Sequence, residues 1–327
     1  MTTRATRTAA ATAAAAILVA ASIGGVMSAQ NAPRMTDEYA SVNGVRLHYV
    51  RAGTGPVIVF LHGFPEFWYE WKHQIAEFSR DHTAIAPDMR GYNLSDKPEN
   101  VSAYSLPLLV EDVRSLAAHL LENTRGGKFT LVAHDWGGLV AWAFAALHPD
   151  MLDRLVIVNA PHPSVLRREL RNNPAQQQAS QYMLRFRAAG AETALAANNY
   201  AGLVSTVLGE SLKSGTMTEE DKTAYIAAWS QPGALTGGLN YYRASEVGPA
   251  QPGGEVKDLL PDPVMIRVPT LVIWAEKDTF LLTGNLDGLG AFVPDLTVRR
   301  IPDGTHWVVH EKPAEVNRII REYLDRR

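Results

Sequence analysis

FTLVAHDWGGLVAW, residues 129–142, is the stretch that decides the fold. It begins with a β-prone apolar run, Phe129 to Ala133, and leads through HDWGG into helix-forming residues from Leu139 to His148. Small residues on both sides of the turn allow a strand and a helix to approach each other closely. The stretch therefore predicts a buried strand that enters a helix through a tight turn, with the side chain of Asp135 projecting from the top of the sheet.

The residue at the tip of this turn is an aspartate, and two roles fit it. A carboxylate at a helix N-terminus is favoured by the free N–H groups and by the helix dipole, so Asp135 could simply cap the helix. At a nucleophile elbow, the same carboxylate can attack an electrophilic carbon and form an alkyl ester. Hydrolysis of such an ester needs a base that activates water, and histidine is the usual choice because its pKa lies near the working pH.

The candidate base is His306, in the segment IPDGTHW between the last predicted strand and the last predicted helix. Asp278 ends the strand segment LVIWAEKD and is the acid that would orient the imidazole. The two follow Asp135 in the order nucleophile, acid, histidine, which is a known order for such triads. Glu276 and Asp303 are rival acids, whereas Asn159, after the preceding strand, cannot ionise.

Strand and helix patterns alternate over most of the chain, which predicts an α/β fold with a mostly parallel sheet. Between Pro161 and about Pro261 the pattern changes to short helical pieces without a convincing strand, one of them capped by Thr218. We therefore predict a core from residues 36–160 and 262–327, and an all-helical cap from residues 161–261, over the carboxyl ends of the strands. The strands are expected at 45–51, 57–61, 83–87, 129–133, 155–158, 270–274 and 296–301, and the core helices at 67–78, 106–121, 139–148 and from Pro313 onward.

Residues 1–30 read as a secretory signal peptide. Arg4 and Arg7 precede an alanine-rich apolar run, and cleavage after Ser28 or Ala29 would suit a signal peptidase. The run is short for a bilayer span, so an uncleaved membrane anchor is the less favoured alternative. We expect an exported protein, periplasmic or secreted, with no stable membrane partner once the leader is removed.

Composition excludes several classes of function. With 327 residues, 46% of them hydrophobic, the chain can bury a large core. The net charge of −3, without a long basic run, argues against nucleic acid as a partner. The absence of cysteine excludes disulfides, thiolate catalysis and zinc sites built on cysteine.

Four motifs of the chain resemble those of the epoxide hydrolases of the α/β-hydrolase fold. HGFP at 62–65 matches the family's HGxP motif, HDWGG at 134–138 its nucleophile, AEKD at 275–278 its acid and GTHW at 304–307 its histidine. The resemblance runs from about residue 40 to the C-terminus. It implies an eight-stranded sheet, a cis bond before the proline of HGFP, and no metal or organic cofactor.

The resemblance also implies further roles at the site. The backbone N–H groups of Phe64 and Trp136 would form the oxyanion hole. Two cap tyrosines would hold the epoxide oxygen: LNYYR at 239–243 assigns Tyr242, and YMLRFRAAG at 182–190 assigns Tyr182. Adjacent helical residues point about 100° apart, so Tyr241 and Tyr242 cannot both face the pocket. Tyr200 and Tyr225 compete with Tyr182. The implied reaction is hydrolysis of a small apolar epoxide by water to a vicinal diol. The sequence leaves open whether the enzyme forms a homodimer.

Three other readings account for the same aspartate. Haloalkane dehalogenases share HDWG, but many carry an asparagine donor at the position of Phe64, which has none. Fluoroacetate dehalogenases carry arginines at the positions of Trp136 and Leu139, which argues against that substrate. The third reading, from a different class, is a non-catalytic hydrolase fold that serves as a ligand sensor or secreted binding protein, and an intact set of nucleophile, base, acid and tyrosines argues against it.

Overall fold

The computed structural model describes residues 34–122 and 127–326, which are built on an eight-stranded sheet. The strands are β1 (Thr36–Val42), β2 (Val45–Ala52), β3 (Val57–Leu61), β4 (Thr83–Pro87), β5 (Phe129–His134), β6 (Leu152–Val158), β7 (Thr270–Ala275) and β8 (Leu296–Ile301). Their order across the sheet is β1-β2-β4-β3-β5-β6-β7-β8. β2 pairs antiparallel with β1 and β4, and the remaining pairs are parallel. The predicted α/β fold with an eight-stranded, mostly parallel sheet is confirmed.

The central strands are apolar throughout because helices cover both faces of the sheet. In β3, Val59 and Leu61 pack into one hydrophobic cluster, while Ile58 and Phe60 pack into another on the opposite face. The helices flanking the sheet are α1 (Lys72–Phe78), α2 (Leu106–Leu121), α3 (Asp135–Leu147), α11 (Val308–Glu311) and α12 (Pro313–Leu324).

A run of helices lies between β6 and β7, and the described residues 161–261 contain no strand. These helices are α4 (Pro163–Asn172), α5 (Pro174–Ala179), α6 (Gln181–Arg187), α7 (Ala191–Leu203), a π-helical turn (Val204–Leu208), α8 (Gly209–Ser214), α9 (Glu219–Trp229) and α10 (Ala234–Ser245). Thr218 caps α9, as expected, in a capping box with Asp221. The exact bounds of the cap stay a prediction.

Several local predictions differ from the structure. The helix expected over 67–78 is a 3₁₀ turn, Trp68–Trp71, followed by α1. α3 begins at Asp135 itself rather than at Leu139, because both glycines of the turn are already helical. β1 was not foreseen.

The predicted signal peptide lies outside the described residues, and export stays a prediction. No helix of the described part of the chain combines the length and apolar character needed to cross a membrane.

Candidate active site

The turn between β5 and α3 places Asp135 in a strained conformation. Its φ is +48°, in the left-handed region that residues with a Cβ rarely adopt. Glycines make this turn sterically feasible. A Cβ on Gly63 would lie 2.5 Å from the Cβ of Asp135, and one on Gly138 would lie 2.2 Å from the Cβ of Ala160. The tight packing therefore holds the aspartate at the carboxyl edge of the sheet.

The two oxygens of the Asp135 carboxylate have different environments. Oδ1 accepts a hydrogen bond of 2.8 Å from the backbone N–H of Phe64, which precedes the cis bond to Pro65. Oδ2 lies 3.6 Å from Nε2 of His306. Trp136 follows Asp135 in the first turn of α3, where N–H groups lack a partner within the helix. One oxygen is thus held by the backbone, while the other faces the histidine.

His306 lies between two carboxylates. Its Nδ1–H donates a hydrogen bond of 2.7 Å to Oδ2 of Asp278, because an ionised carboxylate can only accept. Oδ1 of Asp278 accepts hydrogen bonds from the backbone N–H groups of Phe280 and Leu281 at 2.8 and 2.9 Å. The rival acids lie elsewhere, Glu276 against Arg300 and Asp303 against Lys312. The structure thus brings Asp135, His306 and Asp278 together.

Asn159 is a part of this site that the sequence did not assign. Its amide Nδ2–H donates to Oδ2 of Asp278 at 2.8 Å and to the carbonyl of Ala275 at 3.2 Å, and its Oδ1 accepts from the N–H of Ala275 at 2.8 Å. The side chain is fully buried and the residue has a φ of +39°. The only sequence signal for Asn159 was its position after β6. That position indicated a site where a catalytic acid is missing, not a hydrogen-bond donor that orients Asp278.

The local electrostatics favour an ion pair between Asp135 and His306. Burial alone would lower the pKa of His306, but the charge of Asp278, the contact with Asp135 and the hydrogen bond to Asp278 outweigh it and raise that pKa to about 9. Burial would raise the pKa of Asp135, yet the close contact with His306 and its charge hold that pKa below its ordinary value. At neutral pH the nucleophile is therefore ionised and the histidine protonated.

The catalytic groups open into a largely apolar cavity of about 340 Å³, which Asp135, His306, Tyr182 and Tyr242 all line. The rings of the two tyrosines are 6.3 Å apart, and Tyr242 packs edge-on against Trp136 at 5.0 Å. Burial is the main cause that raises the pKa of both phenols well above its ordinary value. Both tyrosines therefore stay protonated and can donate hydrogen bonds.

The other tyrosines have different surroundings. Tyr241 donates its hydroxyl to the carbonyl of Arg90 at 2.8 Å, as expected if only one of the adjacent pair faces the pocket. Tyr225 donates to a glutamate in the core, and Tyr200 packs against Trp229 with ring centroids 5.8 Å apart. Neither competitor of Tyr182 is among the described residues that line the cavity.

A buried polar network lies behind His306, and sequence reasoning missed it. Nε2–H of His134 donates to the backbone carbonyl of His306 at 3.0 Å, and its Nδ1 lies 2.6 Å from Oε1 of Glu70. Glu66 accepts a hydrogen bond of 2.9 Å from Tyr225 and lies 3.1 Å from Nε2 of His310. The only sequence signal was the pair of glutamates four residues apart in the aromatic segment FPEFWYEW.

The two glutamates of this network have shifted pKa values, because they are buried beside other ionisable groups. Burial and the charge of Glu66 raise the pKa of Glu70 to about 8. Burial alone would raise the pKa of Glu66, but hydrogen bonds from His134 and His310 hold it below its ordinary value. Glu66, Glu70 and His134 are close enough together to be tested as metal ligands. They are fully buried and already paired with one another, so they fit an ion-pair network better than a metal centre.

Comparison with known proteins places this geometry in context. A family model described as alpha/beta hydrolase fold matches residues 56–313. The chain is 36% identical over 295 residues to Epoxide hydrolase 2 of Caenorhabditis elegans, covering 88% of this chain and 79% of that protein. It is 38% identical over 291 residues to the AB hydrolase superfamily protein YfhM of Bacillus subtilis, covering 88% and 97%. The crystal structure of Bacillus megaterium epoxide hydrolase in complex with an inhibitor matches with a TM-score of 0.81 at 38% identity, covering 88% of this chain and 100% of that one.

Proposed function

The chain belongs to the epoxide hydrolases of the α/β-hydrolase fold, and we propose that it converts an epoxide to a vicinal diol through an ester on Asp135. It is thus a hydrolase that acts on an ether bond. One observation carries the proposed mechanism. A carboxylate, a histidine and two protonated tyrosines line the same largely apolar cavity.

In the first step, Oδ2 of Asp135 attacks one ring carbon from the side opposite the ring oxygen. The carbon–oxygen bond breaks and its electron pair goes to that oxygen, which takes a proton from Tyr182 or Tyr242. The tyrosinate then recovers a proton from His306. The N–H of Phe64 holds Oδ1 and so leaves Oδ2 free to form the new bond.

Ester formation itself prepares the second step. It removes the anionic oxygen of Asp135, whose interaction with His306 is one of the causes that hold the pKa of His306 high, so the histidine can act as a neutral base. His306 takes a proton from water, and the oxygen of water adds to the ester carbonyl. The N–H groups of Phe64 and Trp136 would hold the resulting oxyanion. The alkoxide of the diol then leaves and takes the proton of the newly formed carboxylic acid, which restores the carboxylate of Asp135 beside the imidazolium of His306.

Asp278 and Asn159 orient the histidine in this scheme. Because Asp278 accepts from Nδ1–H, the lone pair of a neutral His306 lies on Nε2, the nitrogen that faces Asp135. Asn159 fixes the carboxylate of Asp278 in turn. No cofactor is required for this chemistry.

Single turnover in water labelled with ¹⁸O tests the ester. The label should enter Asp135 and be absent from the diol, because the diol takes the original Oδ2. Label in the diol instead would mean direct attack by water. His306→Gln should accumulate the ester, visible by mass spectrometry as an adduct on the peptide that contains Asp135.

A substrate panel separates this activity from dehalogenation. Styrene oxide should give diol, while small bromoalkanes should release no bromide. Bromide release without diol formation would favour the dehalogenase, and turnover of neither would favour a non-catalytic binding protein.

A further inference from the structure

Arg185 is a cation in the lining of the largely apolar cavity, and the proposed mechanism does not use it. Arg185 lies on α6, three residues after Tyr182, so the two side chains share one face of the helix about one turn apart. The residue is exposed, as a group at the mouth of a cavity would be. Within the described part of the chain, its guanidinium makes neither a hydrogen bond nor a salt bridge.

Arg185 differs in this from the other arginines of residues 161–261, which all have carboxylate partners. Those pairs are Arg167–Asp258 at 3.2 Å, Arg168–Glu169 at 2.8 Å, Arg171–Asp258 at 3.8 Å, Arg187–Glu246 at 3.9 Å and Arg243–Glu192 at 2.7 Å. The carboxylate that shares the cavity lining with Arg185 is Asp135, which already pairs with His306. The cavity therefore presents an uncompensated positive charge.

We propose that Arg185 binds an anionic group of the substrate, so that the enzyme prefers epoxides that carry a carboxylate separated from the ring by an apolar chain. This proposal rests on the proposed function and names its substrate class. The guanidinium suits a carboxylate because its N–H groups match both oxygens. The apolar chain would pack against apolar side chains of the same lining, which include Phe186, Leu195 and Val207.

The test compares an acid with its own neutral ester. The probes are 10,11-epoxyundecanoate and its methyl ester, with styrene oxide as a small neutral reference. The native enzyme should hydrolyse the acid with a higher kcat/KM than the ester. Arg185→Gln should lower kcat/KM for the acid about tenfold, mainly through KM, because one charge-assisted contact is lost. The ester and styrene oxide should change less than twofold, and Arg185→Lys should recover part of the loss.

Arg187→Gln is the matched control, because Arg187 lies on the same helix but pairs with Glu246. It should leave the ratio of acid to ester unchanged. Added salt should lower kcat/KM for the acid in the native enzyme and not in Arg185→Gln, since an exposed charge is screened.

Three results would overturn the proposal: no preference for the acid in the native enzyme, an equal loss for acid and ester in Arg185→Gln, or the same loss in Arg187→Gln. Failure of the proposed function gives a different pattern, in which no probe yields diol. Diol from the ester and styrene oxide without an effect of Arg185 refutes the anion site alone.

Discussion

Replacing Asp278 with asparagine should separate the two half-reactions. Oδ1 of Asp278 accepts from two backbone N–H groups at 2.8 and 2.9 Å, so the amide oxygen of an asparagine would be held there. Its NH₂ would then face Nδ1 of His306, which now lies 2.7 Å from the other oxygen. Nδ1 would have to accept, and the proton of a neutral His306 would move to Nε2.

This tautomer cannot take a proton from water, because the lone pair on Nε2 is lost. The NH₂ would also face the donor of Asn159, 2.8 Å from Oδ2 in the present structure. A wrong tautomer at a catalytic histidine lowers turnover by about 10⁴-fold, roughly 5 kcal/mol of barrier. Ester formation does not need His306 as a base, so we expect it to change by less than about tenfold.

Rapid quench followed by mass spectrometry of the intact protein measures both steps. Asp278→Asn should form the ester in a fast phase and then retain it. Glu276→Gln is the matched control, because Glu276 follows the same strand but pairs with Arg300 at the surface, and it should turn over normally. The reasoning is refuted if Asp278→Asn hydrolyses the ester at the native rate, or if ester formation falls as much as hydrolysis.

Three further predictions follow from the site and its packing. Tyr182→Phe and Tyr242→Phe should each slow ester formation about 10²-fold, because each removes one donor to the developing alkoxide. Ester hydrolysis should stay nearly unchanged. Pre-steady-state kinetics measures both steps, and an equal loss in the two would contradict the prediction. Ester hydrolysis should rise with pH through a midpoint below about 9, because the ester lacks the anionic oxygen of Asp135 whose interaction raises the pKa of His306 in the free enzyme. Single-turnover rates against pH measure it, and a midpoint at or above that value would argue against His306 as the base. Gly138→Ala should lower the free energy of unfolding by about 1–3 kcal/mol, because the new Cβ would lie 2.2 Å from that of Ala160. Gly209→Ala is the matched control: it has open space and a helical φ, so it should raise the free energy of unfolding by about 0.5–1 kcal/mol. Denaturant unfolding measures both, and a neutral Gly138→Ala would mean that the backbone moves easily at this position.

The parts of the site that could be predicted from sequence depend on local patterns. The elbow strand, its glycines and Asp135 lie in one short segment, and chain order then makes Asp278 and His306 candidates, with Glu276 and Asp303 as rival acids. Helix geometry allows only one of Tyr241 and Tyr242 to face the pocket, and the resemblance of LNYYR to the family's cap motif assigns Tyr242; the structure places the two hydroxyls in different surroundings. Strand bounds such as Val57–Leu61 were predictable because a continuous apolar run ends at turn residues.

The parts that could not be predicted depend on contacts between distant residues. Asn159 donates to a carboxylate 119 residues away, and Tyr225 donates to a glutamate 159 residues away. Nothing in the local sequence of either residue indicates its partner. β1 was missed for a different reason: much of it is exposed and polar, so it lacks the apolar run that indicates a buried strand.

The polar network behind His306 also limits the routes by which small molecules can enter and leave the cavity. Tyr225 donates to Glu66, Ser211 lies 2.8 Å from Nδ1 of His310, and the indole of Trp229 donates to the carbonyl of Pro65. Moving α8 and α9 away from the sheet would leave these buried groups without hydrogen-bond partners, at a free-energy cost of about 1–3 kcal/mol for each group. We therefore expect both entry and exit of small molecules to use a portal beside α6 and α7. Cross-linking α9 to the sheet should consequently leave turnover intact.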